Sequence, residues 1–253
     1  LGCGRIAPRH FESLTQLKGA EIVACADIQF ERATQFAEKY KIKAFKSLEE
    51  LLSWGEFDVI SICTPSGSHA EHSIAAMKAK KHVVVEKPMA LRLSDADAMI
   101  EASTKNHVRL FVVKQNRYNL PVLALRQALE QGRFGKLTLG TVRVRWCRPQ
   151  AYYDHDNWRG KWATDGGVFS NQASHHIDLL EWCMGEVDTV YAKTATQLAK
   201  IECEDTGVVV LKFKSGALGI VEATTATRPK DLEGSLSILG EKGSVEIGGF
   251  AVN

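Results

Sequence analysis

The spacing of apolar residues changes near the middle of the chain. Up to about residue 115, short apolar runs alternate with stretches in which apolar positions recur every three or four residues. Runs at 21–27, 57–64, 83–85 and 108–113 predict strands. Segments at 30–40, 69–80 and 94–106 predict helices, the last capped by Ser94. Ser47 and Glu50 have the spacing of a capping box and predict a short helix after them. Strands alternating with helices imply parallel βαβ units. Beyond residue 115, helical spacing is confined to 121–131 and 171–184, and a period of two takes over at 137–146, 187–198, 207–214, 217–225, 234–239 and 244–247. Ser215-Gly216 and Glu241-Lys242-Gly243 signal hairpins. The expected fold class is α/β, with a parallel N-terminal domain over 1–115 and a C-terminal α+β domain over 116–253 built on a large, mostly antiparallel open sheet. Helices would cover one face of that sheet, and the other is a candidate subunit interface. The first strand and the C-terminal end both look cut short.

Composition narrows the classes. The 253 residues are 45% hydrophobic and 25% charged, with a net charge of +2, which is ordinary for a soluble globular protein. That charge makes no electrostatic case for nucleic acid or a membrane surface, and no apolar run approaches the roughly 20 residues that span a bilayer. The six cysteines are scattered, with no C-x-x-C pair. They predict a reducing, cytoplasmic setting and no structural metal.

The chemistry gathers at strand ends. In an open parallel sheet, ligands lie beyond the carboxyl ends of the strands. Gly2-Cys3-Gly4-Arg5-Ile6-Ala7 matches G-x-G-x-x-A and leads into a helix near Pro8. The first glycine permits a tight turn, the second lets backbone approach a diphosphate, and the helix offers its amides to the phosphates. Asp27 ends the next strand at the spacing of a ribose-binding acid. Together these predict a Rossmann dinucleotide-binding domain. Ile28 follows Asp27, where a cation would be needed beside a 2′-phosphate, so the expected cofactor is NAD and not NADP. Thr64-Pro65 ends another strand, and Glu86-Lys87-Pro88 ends the run of valines after it. Both should face the dinucleotide, and Pro88 is a candidate cis proline. His69 is expected at a helix start, with the pocket wall as its second role. Farther on, Asp165-Gly166-Gly167 precedes Asn171, His175 and Asp178. If these lie on one helix, Asn171 and His175 share a face, Asp178 is close to it and His176 points elsewhere.

With these motifs the chain resembles the glucose-fructose oxidoreductase/inositol dehydrogenase family over its whole length. The resemblance implies that Lys87 and His175 flank the carbon that loses or gains hydride, with Asn171 beside them. The family's usual aspartate four residues before the histidine is Asn171 here, and an amide cannot stabilise an imidazolium as a carboxylate would. It further implies cofactor contacts from Gly2, Gly4, Arg5, Ile6, Asp27, Ile28, Thr64, Pro65, His69, Glu86, Lys87, Gln115, Trp158 and Arg159. Substrate contacts would come from Lys87, Asn116, Arg117, Tyr152, Asn171, His175 and Arg228. The runs 114–119 and 152–162 are similar to those of the nucleotide-sugar 3-dehydrogenase branch, which oxidises C3 of UDP-N-acetylglucosaminuronic acid or its relatives ahead of amination for surface polysaccharide. Arg117, Arg159 and Arg228 suit a carboxylate or diphosphate, and Tyr152, Tyr153, Trp158 and Trp162 suit stacking or pocket walls. The expected partners are a small-molecule nucleotide sugar and further copies of the chain, in a homodimer or homotetramer through the C-terminal sheet, with no nucleic acid and no membrane. Which of Lys87 and His175 acts as base stays open, and the resemblance also allows NADH to be reoxidised by a second substrate such as 2-oxoglutarate. The alternatives are an NAD-dependent dehydrogenase of a free polyol or monosaccharide, and a dinucleotide-binding sensor or scaffold without turnover.

Overall fold

The computed structural model describes residues 1–253 and divides into two compact units, Leu1–Val113 and Lys114–Asn253. In the first unit, strands β1 (Ala24–Ala26) and β2 (Lys43–Phe45) pair in parallel, and β3 (Val59–Ile62), β4 (His82–Val85) and β5 (Leu110–Val112) form a second parallel sheet in that order. Residues 1 and 2 bridge the two. The Leu1 ammonium donates to the Ser61 carbonyl at 2.7 Å. The Cys63 N–H donates to the Leu1 carbonyl, and the Gly2 N–H to the Ala26 carbonyl, both at 2.8 Å. Backbone hydrogen bonding thus runs without a break from β2 to β5, and Gly2 lies among the carboxyl ends of β1 and β3.

Helices α1 (Ala7–Thr15), α2 (Phe30–Tyr40), α3 (Leu48–Trp54), α4 (His69–Lys78) and α5 (Leu93–Asn106) complete this unit. Ile60, Ile62, Val83 and Val85 pack with Met77 of α4 and Met99 of α5. The Ser47 hydroxyl accepts the Glu50 N–H at 3.2 Å, while the Glu50 carboxylate reaches the Lys46 amide, one residue earlier than a full capping box. Two expectations need correction. Strand β2 is too short and too polar for periodicity to mark it. Ser94 does not cap α5, because extended Arg92 does and Ser94 falls inside the first turn.

The second unit is a six-stranded sheet of β6 (Leu137–Arg145), β7 (Val187–Ala195), β8 (Thr206–Phe213), β9 (Leu218–Thr224), β10 (Glu233–Gly240) and β11 (Gly243–Ile247), in the order β11-β10-β6-β9-β8-β7. Every pair is antiparallel except β6–β9. The inward face buries Val142, Phe213, Val221, Leu236 and Ile238 under helices α6 (Leu120–Glu130) and α8 (Ser174–Met184), which contributes Leu179 and Leu180. Close approach of α8 requires Gly140, since a Cβ there would stand 2.7 Å from a Leu180 methyl. The opposite face leaves Tyr191, Val208, Val210, Leu218 and Ile220 exposed. A short helix α7 (Gln150–Asp154) lies where the sequence showed only a polar aromatic run.

Helix α8 begins at Ser174, so Asn171 lies outside it and does not share a helical face with His175. Residues 167–173 form turns, closed by Asn171 N–H to the Gly167 carbonyl (3.1 Å) and Ala173 N–H to the Val168 carbonyl (2.8 Å). Gly167 permits this path, because a Cβ there would overlap the Glu204 carboxylate.

Phe213 is fully buried at the centre of this core. Replacing it with alanine is expected to destabilise the fold by about 3–5 kcal/mol, read as a lower urea midpoint for loss of sheet circular dichroism. An unchanged midpoint would contradict the packing described.

Candidate cofactor and substrate sites

The glycine turn in the first unit is built by close contact. Gly2 has φ +86°, and an added Cβ would lie 2.8 Å from the Cys63 carbonyl carbon and oxygen. Only glycine tolerates both that angle and that approach. At Gly4, by contrast, an added Cβ would meet nothing within 4 Å. The chain therefore leaves open space over the second glycine, where the fold accommodates a diphosphate. Helix α1 opens with Pro8 in its first turn, no side-chain cap and no acidic residue there. Its amide dipoles have no carboxylate of their own helix competing for an anion.

Asp27 is buried at the end of β1. One oxygen accepts the Cys3 N–H and the other the Gln29 N–H, each at 2.8 Å. The carboxylate is thereby fixed against the glycine turn, and each oxygen keeps a further lone pair for a ribose hydroxyl. Ile28 beside it is 89% exposed and supplies an apolar surface, not a cation. These residues fit NAD.

Glu86, Lys87 and Pro88 follow β4, with the Lys87–Pro88 bond in the cis form. The Glu86 carboxylate has two attachments. One oxygen lies 2.7 Å from His10 Nε2, and the other accepts the Lys87 N–H at 3.1 Å. The other ring nitrogen of His10 lies 2.7 Å from the Ser61 hydroxyl. The Cys63 thiol and the Glu86 carboxylate push the His10 pKa up to about 10, against the effect of burial. Burial opposes ionisation of Glu86, yet the bond and charge of His10 hold its carboxyl below the usual range. His10 and Glu86 are a buried ion pair at neutral pH.

His69 is the first residue of α4, at the helix start as expected, though its side chain is fully buried and does not cap the helix. Its Nδ1 lies 2.7 Å from the Pro88 carbonyl and its Nε2 2.9 Å from the Thr64 carbonyl. Burial lowers its pKa while the two carbonyls oppose that shift. The ring ties together the segments that follow β3 and β4.

In the second unit, His175 stands in the first turn of α8, and its Nε2 is 3.1 Å from the Gln115 side-chain nitrogen. The side-chain N–H of Asn171 donates to Asp165, whose other oxygen accepts the Gly160 N–H at 2.8 Å. Asp165 is fully buried. Sequence reasoning passed over its carboxylate and over His10, because each acts through a contact that no local pattern records.

The three arginines expected to grip a ligand all have partners in their own chain. Arg117 donates through Nε and Nη2 to the two Asp178 oxygens at 2.7 Å each, and its pKa is raised by that carboxylate. This occupies its bidentate edge. Arg159 donates to Asp156 at 2.8 Å and to the Tyr152 hydroxyl, and its guanidinium lies over the Tyr152 and Trp158 rings. Arg228 donates to the Thr225 and Thr227 carbonyls at 3.1 and 2.7 Å. Asn116 is buried and donates to the Ala251 carbonyl. Tyr153 is buried, its hydroxyl 2.9 Å from that of Thr225 and its pKa pushed up to about 12 by burial; it packs edge-on against Tyr152 and lines a cavity with Arg159 and Lys161. No helix is long and apolar enough to cross a membrane.

Comparison with known proteins agrees with this geometry. Residues 1–114 match the oxidoreductase family with an NAD-binding Rossmann fold, and residues 122–246 match the GFO/IDH/MocA C-terminal domain. A myo-inositol 2-dehydrogenase of Thermotoga maritima is 33% identical over 97% of this chain and 73% of its own length. Two solved structures, of the WlbA dehydrogenases from Bordetella pertussis and Chromobacterium violaceum, each in complex with NADH and UDP-GlcNAcA, are each 47% identical with a TM-score of 0.97. They cover 100% and 99% of this chain, which spans 76% and 73% of theirs. The chain belongs to the Gfo/Idh/MocA oxidoreductases and uses NAD.

Two outcomes follow. Gly2→Ala is expected to weaken NAD binding at least about tenfold and to lower thermal stability, since both the backbone angle and the Cys63 contact must change. Titration of nucleotide fluorescence checks the first effect. The His10–Glu86 pair makes stability depend on pH. The folded pKa of His10, about 10, exceeds its unfolded value of about 6.5. Its contribution is therefore complete below about 6.5 and is lost as pH rises through 10. The urea midpoint difference between wild type and His10→Asn should shrink steadily across that interval. A constant difference would count against the ion pair.

Proposed function

We propose that this NAD-dependent oxidoreductase oxidises the C3 hydroxyl of a UDP-linked N-acetylhexosaminuronic acid to a 3-keto sugar, in the synthesis of surface polysaccharide precursors. The observation that carries the reading is the 47% identity, over essentially the whole chain, to two dehydrogenases solved with NADH and UDP-GlcNAcA. Bound NAD supplies the acceptor for the C3 hydride. Lys87 polarises the hydroxyl oxygen by donating a hydrogen bond. His175 Nε2 takes the hydroxyl proton as the C–H bond breaks and the carbonyl forms, so Gln115 must yield its place on that nitrogen to the substrate. Histidine suits the base role because its ordinary pKa is near 6.5. Asn171, oriented by Asp165, holds a sugar hydroxyl. The stacked Arg159, Tyr152 and Trp158 form a wall toward cofactor or substrate, and Gly2, Gly4 and Asp27 hold the dinucleotide. The exposed apolar face of the six-stranded sheet joins copies of the chain into a homo-oligomer, and the enzyme works in the cytoplasm.

A second reading, oxidation of a free polyol, is favoured by the internal partners of Arg117, Arg159 and Arg228 and by the inositol dehydrogenase relative. Thermal-shift measurements with NAD present separate the two. Stabilisation by UDP-linked uronic acids and not by inositols supports the first, and the reverse pattern overturns it. With the substrate so identified, Lys87→Met and His175→Asn are each expected to lower kcat by at least about a thousandfold while still binding NAD. Wild-type turnover in either variant removes that residue from the scheme.

A further inference from the structure

The strand-end lysine has an acid as its immediate neighbour, and that acid is not solvated. The Glu86 side chain is only 12% exposed, and its partner His10 only 16%. A buried carboxylate this close favours the charged form of any nearby amine. Left alone, Glu86 would favour the ammonium form of Lys87, and the two charges do act on each other. His10 comes from α1, directly after the glycine turn, and reaches β3 and β4 together through Ser61 and Glu86. Cys63 is the remaining titratable group against its ring, and His69 and His72 of α4 face the same strand ends. Burial disfavours the cationic form of both α4 histidines. His10, the ring bonded to a carboxylate, is the one whose cationic form its surroundings favour.

We propose that His10 is a positioning residue for Lys87: its imidazolium offsets the negative charge beside the lysine and fixes the carboxylate whose second oxygen holds the Lys87 amide. The pair Glu86 and His10 is neutral as a unit, which weakens the pull of Glu86 on the Lys87 ammonium. The inference builds on the role proposed above for Lys87. It holds whether Lys87 acts as base or as polarising donor, because in either role its protonation must stay responsive near the working pH. The arrangement also ties the orientation of Lys87 to the helix that opens over the dinucleotide phosphates.

The test does not depend on knowing the sugar. The full-length chain without added substrate is labelled with trace acetic anhydride across a pH series, and acetylation of Lys87 is followed by peptide mass spectrometry. In His10→Asn the Glu86 charge is unopposed, and the Lys87 midpoint should rise by at least about one pH unit, which one unit charge supplies from about 12 Å at an effective dielectric constant of about 20. In the double variant His10→Asn/Glu86→Gln the charge is gone, and the midpoint should return to the wild-type value. A purely structural role for His10 would not be repaired by removing a second buried partner. An unchanged midpoint in His10→Asn overturns the proposal, and so does a midpoint that stays displaced in the double variant. If His10→Asn does not fold, nitrogen-15 NMR of the wild-type imidazoles decides. His10 protonated on both nitrogens at about pH 8.5 supports the proposal, and a singly protonated ring there overturns it. Absence of turnover with every UDP-sugar would sink the substrate reading and leave this measurement intact.

Discussion

The first unit depends on how closely the backbone at Gly2 approaches the end of β3. At that point Leu1 is bonded to Ser61 and Cys63, and Gly2 to Ala26. No side chain separates the glycine from the Cys63 carbonyl. This contact fuses a two-stranded and a three-stranded sheet into one surface. It also sets the turn low enough that the open space falls over Gly4. Asp27, Thr64 and Glu86 then stand in one row of strand ends, each at the close of a parallel strand. The row is a consequence of strand register: Ile62 pairs with Val85, and the Glu86 N–H donates to the Ile62 carbonyl.

Polar groups in that row are held in place largely by other backbone and side-chain groups. Asp27 takes two amides, His69 faces two carbonyls and Glu86 takes one amide and one imidazole. Buried polar groups without partners would cost on the order of 1–3 kcal/mol each, so a row of them persists only if each is satisfied. Partnering has a second effect. Side chains locked by such bonds do not reorganise when a ligand arrives, which is the condition for electrostatic preorganisation.

Much of this was legible in the sequence, and the physical reasons differ by residue. Gly2, Gly4 and Asp27 act within one βαβ unit, so their spacing carries the signal. The valines before Glu86 mark a buried strand wherever they occur. The period-two segments at 207–214 and 217–225 are readable because one sheet face is buried there and the other is not. What could not be read were meetings of residues far apart in the chain. His10 and Glu86 are separated by 76 positions, and nothing near either one anticipates the other. The sequence pattern predicts α8 from about Asn171, three residues early, because Asn171, Gln172 and Ala173 contain no glycine or proline to interrupt it. The path at Gly167 is instead set by Glu204, which approaches from a distant part of the chain.

The amide at position 171 changes where negative charge lies in the second unit. A carboxylate there would be free to pair with an imidazolium at 175. The carboxylate present is Asp165, and it is committed to the Asn171 side chain and the Gly160 amide. Asp178 is no substitute, since Arg117 and Lys114 both lie against it.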